Sequence, residues 1–523
     1  MATATCRSEP TDPSPVPAPA VSPFRPSARL TAVVVAVLVG CQASPLPADT
    51  APASDPSSRY LIYLHGRIIE EQGERPTHPD FGTYDYPGVL DALSDAGFVV
   101  MSERRPAGTD VEAYAARVAA QVRDLLAAGV PPDHVTVVGF SKGGGIAIHA
   151  ASLLDEPDVR FAFLAACGDW VFRPDVRVSG RILSVVEASD DLAAPSCEPL
   201  FATAGTVRQR SEVTIDTGRR HGAFYQPRPE WLAPVVAWAQ GDGPAAPDLD
   251  ALEQRLRRLA APADGSVGIA VGLLGSDAAV VVGDARHPMQ SVFKLPLAMT
   301  VLAAVDRGEL SLDQQVAVAP RDFVSDRQHS PIRDRHPEGV TLAVEQLLRA
   351  AASGSDGTAA DVLLGLVGGP RAVTAHLRSI GVEGVDVAVT EKDMGHDPRA
   401  QYRNGATPQG ALGVLRALHE GRGLSHESRA LLLRLLTETP TGRHRLRGRL
   451  PDGTAVAHKT GSSRTVDGVT AATNDIGIVS LPDGRRLAVA VFVSDSPADD
   501  ATRERVIADV ARAAYDAVAG GAE

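Results

Sequence analysis

The sequence predicts two domains in series. The first is a doubly wound, mostly parallel α/β sheet over residues 59–240, and the second an α+β domain over 249–523. The chain has 523 residues, against roughly 150 for an average domain. Short β-rich runs alternate with helical stretches in the first part, whereas in the second they gather at the two ends. Between the parts, Gly241-Asp242-Gly243-Pro244-Ala245-Ala246-Pro247 breaks all periodicity and marks a linker at 241–248.

The strands of the first domain are expected at Tyr60–Leu64, Phe98–Met101, Val135–Val138, Phe161–Ala165, Ile182–Glu187 and Val213–Thr217. Helical patterns such as Asp110–Ala128 separate them, and repeated βα units imply a parallel sheet. Trp231–Ala239 reads as a closing helix. In the second domain, a helix at Leu249–Leu259 precedes strands at Val267–Leu274 and Ala278–Val282. After a long helical middle, strands return at Asp475–Leu481 and Arg486–Val493, and a last helix covers Ala501–Val518. Strands drawn from both ends suggest an antiparallel sheet with helices beside it.

Composition narrows the function. Hydrophobic residues at 44% and charged residues at 22% exclude wholesale disorder. A net charge of −13 with no basic domain argues against nucleic acid as a partner. Only four of the 51 basic residues are lysines: Lys142, Lys294, Lys392 and Lys459. In so Arg-rich a chain, a lysine marks a place where arginine does not fit or cannot titrate. All four are expected in active sites.

The N-terminus reads as a targeting segment. Leu30–Val39 is a ten-residue run, apolar but for Thr31, after Arg25 and Arg29, too short for a membrane-crossing helix of ~20 residues. Leu38-Val39-Gly40-Cys41 resembles a bacterial lipobox. The resemblance implies a signal peptide at 1–40, lipid on Cys41 as a membrane anchor, and a flexible tether at 41–58. Gln42 in place of Asp implies the periplasmic face of the outer membrane of a Gram-negative bacterium. Export also permits a disulfide between Cys167 and Cys197, each of which follows a predicted strand; two independent small buried residues are the other reading.

Gly139-Phe140-Ser141-Lys142-Gly143 lies between a strand and a helix starting near Gly144, the context that a G-x-S-x-G nucleophile turn requires. A serine there needs a base. His221 follows the last predicted strand, and Asp190 and Asp191 follow the preceding one, with Asp190 preferred as the acid. The order Ser, Asp, His resembles that of the α/β-hydrolases over residues 59–240. The resemblance implies an esterase-like activity and an oxyanion hole from the backbone N–H groups of Arg67 and Lys142.

Three further elements recur in order. Ser291-Val292-Phe293-Lys294 places a hydroxyl and an amine on one helical face. Ser355-Asp356-Gly357 and His458-Lys459-Thr460-Gly461-Ser462 follow. Together they resemble the serine β-lactamase and penicillin-binding protein superfamily, and class A β-lactamases in particular, over about 250–520. The resemblance implies that Ser291 attacks a β-lactam carbonyl, with either Lys294 or Glu391 acting through water as the base that primes it. Backbone N–H groups of Ser291 and Ser462 would stabilise the oxyanion, and Ser355 would relay a proton to the leaving nitrogen. Gly357, Lys459, Thr460, Gly461 and Ser462 would line the substrate site. Glu391 would activate the water that releases the acyl-enzyme. The sequence departs from the family at Gly357, where an Asn is usual, and at Gly395, where a water-holding polar residue is common. Gln290 before the nucleophile suits some extended-spectrum branches.

No metal site and no cofactor are expected, since no Cys/His cluster or H-E-x-x-H is present. His287, His329 and His396 are expected as solvated loop residues. The chain is read as an exported, monomeric, lipid-anchored fusion that hydrolyses β-lactams. Three competing readings remain: a DD-peptidase or esterase using the Ser291 site, an α/β-hydrolase with an ancillary penicillin-binding domain, and a non-catalytic envelope-binding lipoprotein.

Overall fold

The computed structural model describes residues 55–241, 248–276 and 278–519. The expected signal peptide, Cys41, most of the expected tether and residues 242–247 of the expected linker lie outside the described residues. Among the described residues, no helix is long and apolar enough to cross a membrane.

The first sheet has six parallel strands. They are β1 (Tyr60–Leu64), β2 (Val99–Met101), β3 (Val135–Phe140), β4 (Arg160–Leu164), β5 (Gly180–Glu187) and β6 (Val207–Ile215), in the order β2-β1-β3-β4-β5-β6. Every residue of β1, β3 and β4 is buried, as expected for strands covered on both faces. The helices α1 (Arg67–Gln72), α2 (Val111–Ala127), α3 (Lys142–Leu154) and α4 (Pro229–Gln240) accompany this sheet. Asp110 caps α2 by accepting from the Ala113 N–H at 2.8 Å. Trp231 and Trp238 of α4 are buried in the cluster that includes Leu61, Leu164 and Val185. The expected strands are all present, although β6 starts six residues earlier than its pattern suggested.

The second sheet has five antiparallel strands. In order they are β8 (Ala279–Val282), β7 (Ser266–Leu273), β11 (Arg486–Ser494), β10 (Thr473–Ser480) and β9 (Val456–Ser462). Helices α5 (Leu249–Ala260) and α11 (Asp500–Ala519) share one apolar cluster with this sheet. The central helix α6 (Lys294–Asp306), α7 (Gly357–Leu366), the short α8 (Glu391–His396), α9 (Pro408–Glu420) and α10 (His426–Thr437) belong to the helical region, with further helices at Pro331–Arg335, Val344–Ala352 and Pro370–Ser379. Helix α6 is apolar all round, so it runs through the core. Strand β9 escaped the sequence pattern because its buried residues include His458, Lys459 and Thr460.

Both sheets belong to one compact unit. His419 Nε2 of α9 donates to Glu212 Oε1 of β6 at 3.0 Å, and both side chains are buried. The Thr214 N–H donates to the Gly484 carbonyl at 2.9 Å, and His426 Nε2 to the Ala188 carbonyl, also at 2.9 Å. Cys167 and Cys197 form a disulfide across a sequence separation of 30 residues. His287 corrects one expectation. It is buried, stacked on Phe492 and within 2.9 Å of Ser494 Oγ, because the segment His287–Pro288 pairs with Gly405–Ala406 instead of looping into solvent.

Candidate active sites

Ser141 stands at the tip of the β3–α3 turn with φ 54° and ψ −120°. The turn is tight enough to require glycine on both sides. A Cβ on Gly139 would lie 2.3 Å from the Gly143 carbonyl oxygen, and one on Gly143 would lie 2.0 Å from that of Leu64. His221 Nδ1 donates to Asp190 Oδ2 at 2.7 Å, which leaves Nε2 to accept the Ser141 hydroxyl at 2.9 Å. It is therefore Asp190 that reaches the histidine. Asp191 instead pairs with the exposed Arg220, and that bond holds its carboxyl below the usual range. The loop at His65-Gly66-Arg67 approaches the nucleophile closely, since a Cβ on Gly66 would lie 3.7 Å from Ser141 Cβ. Burial, with Arg105 beside it, pushes the His65 imidazole down to about 3 and keeps it neutral. Lys142 Nζ pairs with Glu70 Oε2 at 2.6 Å, and Glu70 also accepts from buried Arg105 at 3.0 Å.

Ser291 lies in a single 3₁₀ turn, Gln290–Phe293, which leads into α6. Lys294, at the first position of α6, is 1% exposed and spends its three donors on three acceptors. They are Ser291 Oγ at 2.9 Å, the Ser355 carbonyl at 2.7 Å and Glu391 Oε1 at 2.7 Å. A hydroxyl, an amine and a carboxylate are thus in one chain of contacts. Ser355 Oγ accepts from Lys459 Nζ at 3.0 Å. Lys459 is wholly buried. That burial, with Lys294 nearby, pushes its amine down to about 7.

Strand β9 is held hard against the nucleophile. A Cβ on Gly461 would lie 2.3 Å from the Met289 carbonyl oxygen. Asn474 Nδ2 fixes the facing segment by donating to the carbonyls of Pro288 and Met289 at 2.8 and 3.1 Å. This close approach brings Ser462 to the same cavity as Ser291. The cavity measures about 680 Å³, and Ser291, Lys294, Ser355, Glu391 and Ser462 all line it. The Thr460 hydroxyl lies 2.7 Å from that of Thr441.

Residues 251–518 match the model of the beta-lactamase enzyme family. The chain belongs to that family. The extended-spectrum beta-lactamase PER-1 of Pseudomonas aeruginosa is 46% identical over 44% of this chain and 75% of its own length. Beta-lactamase VEB-1 of the same organism is 37% identical over 45% and 79%. Among solved structures, a beta-lactamase from Chitinophaga pinensis is 43% identical with a TM-score of 0.50, covering 51% of this chain and 99% of its own. TLA-1 extended spectrum beta-lactamase is 37% identical with a TM-score of 0.51, covering 52% and 99%. The C-terminal half is a class A β-lactamase domain of β-lactamase/transpeptidase-like fold.

Four residues of the lactamase domain that hold this site were not singled out from the sequence. Asp361 of α7 accepts the N–H groups of Glu391 and Lys392 at 2.7 and 2.9 Å and so docks the start of α8. Burial raises its carboxyl to about 6, against the pull of those two donors. Asn404 is fully buried and closes the same loop, accepting from the N–H groups of Ala388 and Val389 at 2.7 and 2.9 Å. Arg445 donates to Ser462 Oγ at 2.7 Å and to the Asn474 carbonyl at 2.9 Å. Gln328 meets Glu391 Oε2 at 3.1 Å. The one signal in the sequence is that Asp361 directly follows Ala359-Ala360, in the first turns of an apolar helix where a carboxylate needs a partner.

Asp356 serves the helix and not the cavity. It caps α7, accepting from the Ala359 N–H at 2.9 Å and the Ile332 N–H at 2.8 Å. Gly357, expected at the substrate site, is buried and is not among the residues that line the cavity; a Cβ there would sit 3.3 Å from the His329 carbonyl and 3.4 Å from Val324. Lys392 directly follows Glu391 in the chain. Its amine turns away to the Arg321 carbonyl at 2.7 Å. His329 and His396 are exposed, as expected, but His396 ends helix α8 and does not lie in a loop. No metal-holding group of His, Cys, Asp and Glu exists among the described residues.

Proposed function

We propose that β-lactam hydrolysis runs through an acyl-enzyme on Ser291. The three-way contact of Lys294 with Ser291, Ser355 and Glu391 carries this reading. Attack of Ser291 Oγ on the lactam carbonyl sends its proton towards the Lys294–Glu391 pair, and the N–H groups of Ser291 and Ser462 face the oxyanion. Ser355, bonded to Lys459, returns a proton to the lactam nitrogen as the C–N bond breaks. The substrate carboxylate is held by Lys459, Thr460 and Ser462. Water activated by Glu391 then releases the acid. The extended-spectrum description of PER-1 and TLA-1 suggests the same breadth here.

The 59–240 region acts as a second, α/β-hydrolase-like enzyme of esterase type. The Ser141–His221–Asp190 hydrogen bonds support this reading. The chain is exported, lipid-anchored through Cys41 at the periplasmic face of the outer membrane, and monomeric. Ser291→Ala and Ser141→Ala variants assayed on nitrocefin and p-nitrophenyl acetate test the division of labour. Ser291→Ala is expected to abolish nitrocefin turnover alone, and Ser141→Ala to lower ester turnover alone. Ester turnover unchanged in Ser141→Ala removes the second enzyme.

A further inference from the structure

Glu391 is 6% exposed, and both of its carboxylate oxygens are occupied by protein donors. Lys294 takes Oε1 at 2.7 Å, and the Gln328 side-chain amide takes Oε2 at 3.1 Å. The same amide nitrogen also donates to the Glu391 carbonyl. Both Glu391 atoms only accept, so the –NH₂ end of Gln328 must face them. The other end agrees, because Gln328 Oε1 accepts from Ser325 Oγ at 3.2 Å.

The turn that carries Gln328 is itself pinned. Gln328 N–H donates to the Ser325 carbonyl at 3.0 Å, and Arg333 donates to the Gln328 and Val324 carbonyls at 3.1 and 3.2 Å. The amide lies in a space that only a glycine at 395 leaves open. A Cβ on Gly395 would fall 2.3 Å from Gln328 Oε1 and 3.0 Å from Ser325 Oγ. Gln328 and Gly395 are therefore a complementary pair: one supplies an amide from a distant turn, and the other vacates the room for it.

We propose that Gln328 is a positioning residue for deacylation, fixing the Glu391 carboxylate through Oε2 so that it can take a proton from water. This rests on the reading of Glu391 as the deacylating base. In that step the water oxygen bonds to the acyl carbon while Glu391 receives its proton. The bond from the acyl carbon to Ser291 Oγ then breaks, and the proton passes to Oγ. A carboxylate free to turn about its own axis would lose the geometry on which that transfer depends.

The test is steady-state and stopped-flow nitrocefin kinetics on the full chain, with intact-mass detection of acyl-enzyme, for Gln328→Ala, Gly395→Asn and the double variant. Removing a hydrogen bond to a charged group is expected to lower kcat of Gln328→Ala at least about tenfold. KM should fall in parallel as acyl-enzyme accumulates, leaving kcat/KM within about threefold. Gly395→Asn alone should also lose kcat, because its side chain meets Gln328. In the double variant the new amide occupies the vacated space and kcat should recover above both single variants. An unchanged kcat in Gln328→Ala, a fall without acyl-enzyme, or a double variant worse than either single overturns the proposal. Glu391→Gln separates the two layers. If it turns over nitrocefin like the wild type, the base reading falls and takes the proposal with it. If it stalls as acyl-enzyme while Gln328→Ala is unaffected, only the role of Gln328 is lost.

Discussion

Gly461→Ala probes the contact that brings strand β9 to the nucleophile. The added Cβ would stand 2.3 Å from the Met289 carbonyl oxygen, against the 3.0 Å below which real Cβ contacts essentially never fall, so something must move by at least 3.0 − 2.3 = 0.7 Å. Neither side can give way cheaply. The atom met is backbone, and Asn474 holds that carbonyl and its neighbour at 3.1 and 2.8 Å. The movement falls between Ser462 and Ser291, one and two residues from the collision, whose N–H groups are the proposed oxyanion donors. Misplacing one such donor costs about 10²-fold in rate, or ~3 kcal/mol. Strain of this kind costs a further ~1–3 kcal/mol of stability, or roughly 3–8 °C in Tm. Nitrocefin kcat/KM and a thermal melt measure both. Gly365→Ala is the control: that glycine is exposed on α7 with nothing within 4 Å, and the change should be neutral or stabilising by up to ~1 kcal/mol. A Gly461→Ala protein with kcat/KM within threefold of wild type and an unchanged Tm would refute the reasoning.

Other outcomes follow from the same geometry. Asp361→Ala leaves the N–H groups of Glu391 and Lys392 without their acceptor and should cost about 3 kcal/mol in docking α8. A lower nitrocefin kcat with accumulation of acyl-enzyme would register it. Lys459 is a cation only below about 7, so kcat/KM for an anionic β-lactam should fall as pH rises through that value. Lys459→Arg, which stays charged, should flatten that alkaline limb in a pH–rate profile. Reducing the Cys167–Cys197 bridge, or replacing both cysteines by serine, opens a loop spanning 30 residues and should cost ~3–4 kcal/mol in a denaturant melt.

The residues that touch the reacting atoms were legible because their chemistry dictates their spacing. Ser291 and Lys294 share a helical face, and Gly139 and Gly143 must flank a tight turn whatever surrounds them. The parallel strands were legible because burial on both faces makes them continuous apolar runs. Strand β9 was not, because its buried residues include a histidine, a lysine and a threonine on alternating faces, whose partners lie elsewhere in the chain: His458 is met by Asp475, and Lys459 by Ser355. The partners of the supporting residues were invisible for the same reason. Asp361 lies 30 residues from the N–H it accepts, and Gln328 lies 63 from Glu391. No local period encodes such pairs. The expectation of a solvated His287 fails because two residues of pairing with Gly405–Ala406 bury it.

The most direct test of the central claim is the intact mass of Glu391→Gln after incubation with benzylpenicillin, with peptide mapping of the adduct. A single penicilloyl group on Ser291, stable for minutes and absent from Ser291→Ala, is the predicted result. No adduct, an adduct on another serine, or nitrocefin hydrolysis that survives Ser291→Ala would contradict it.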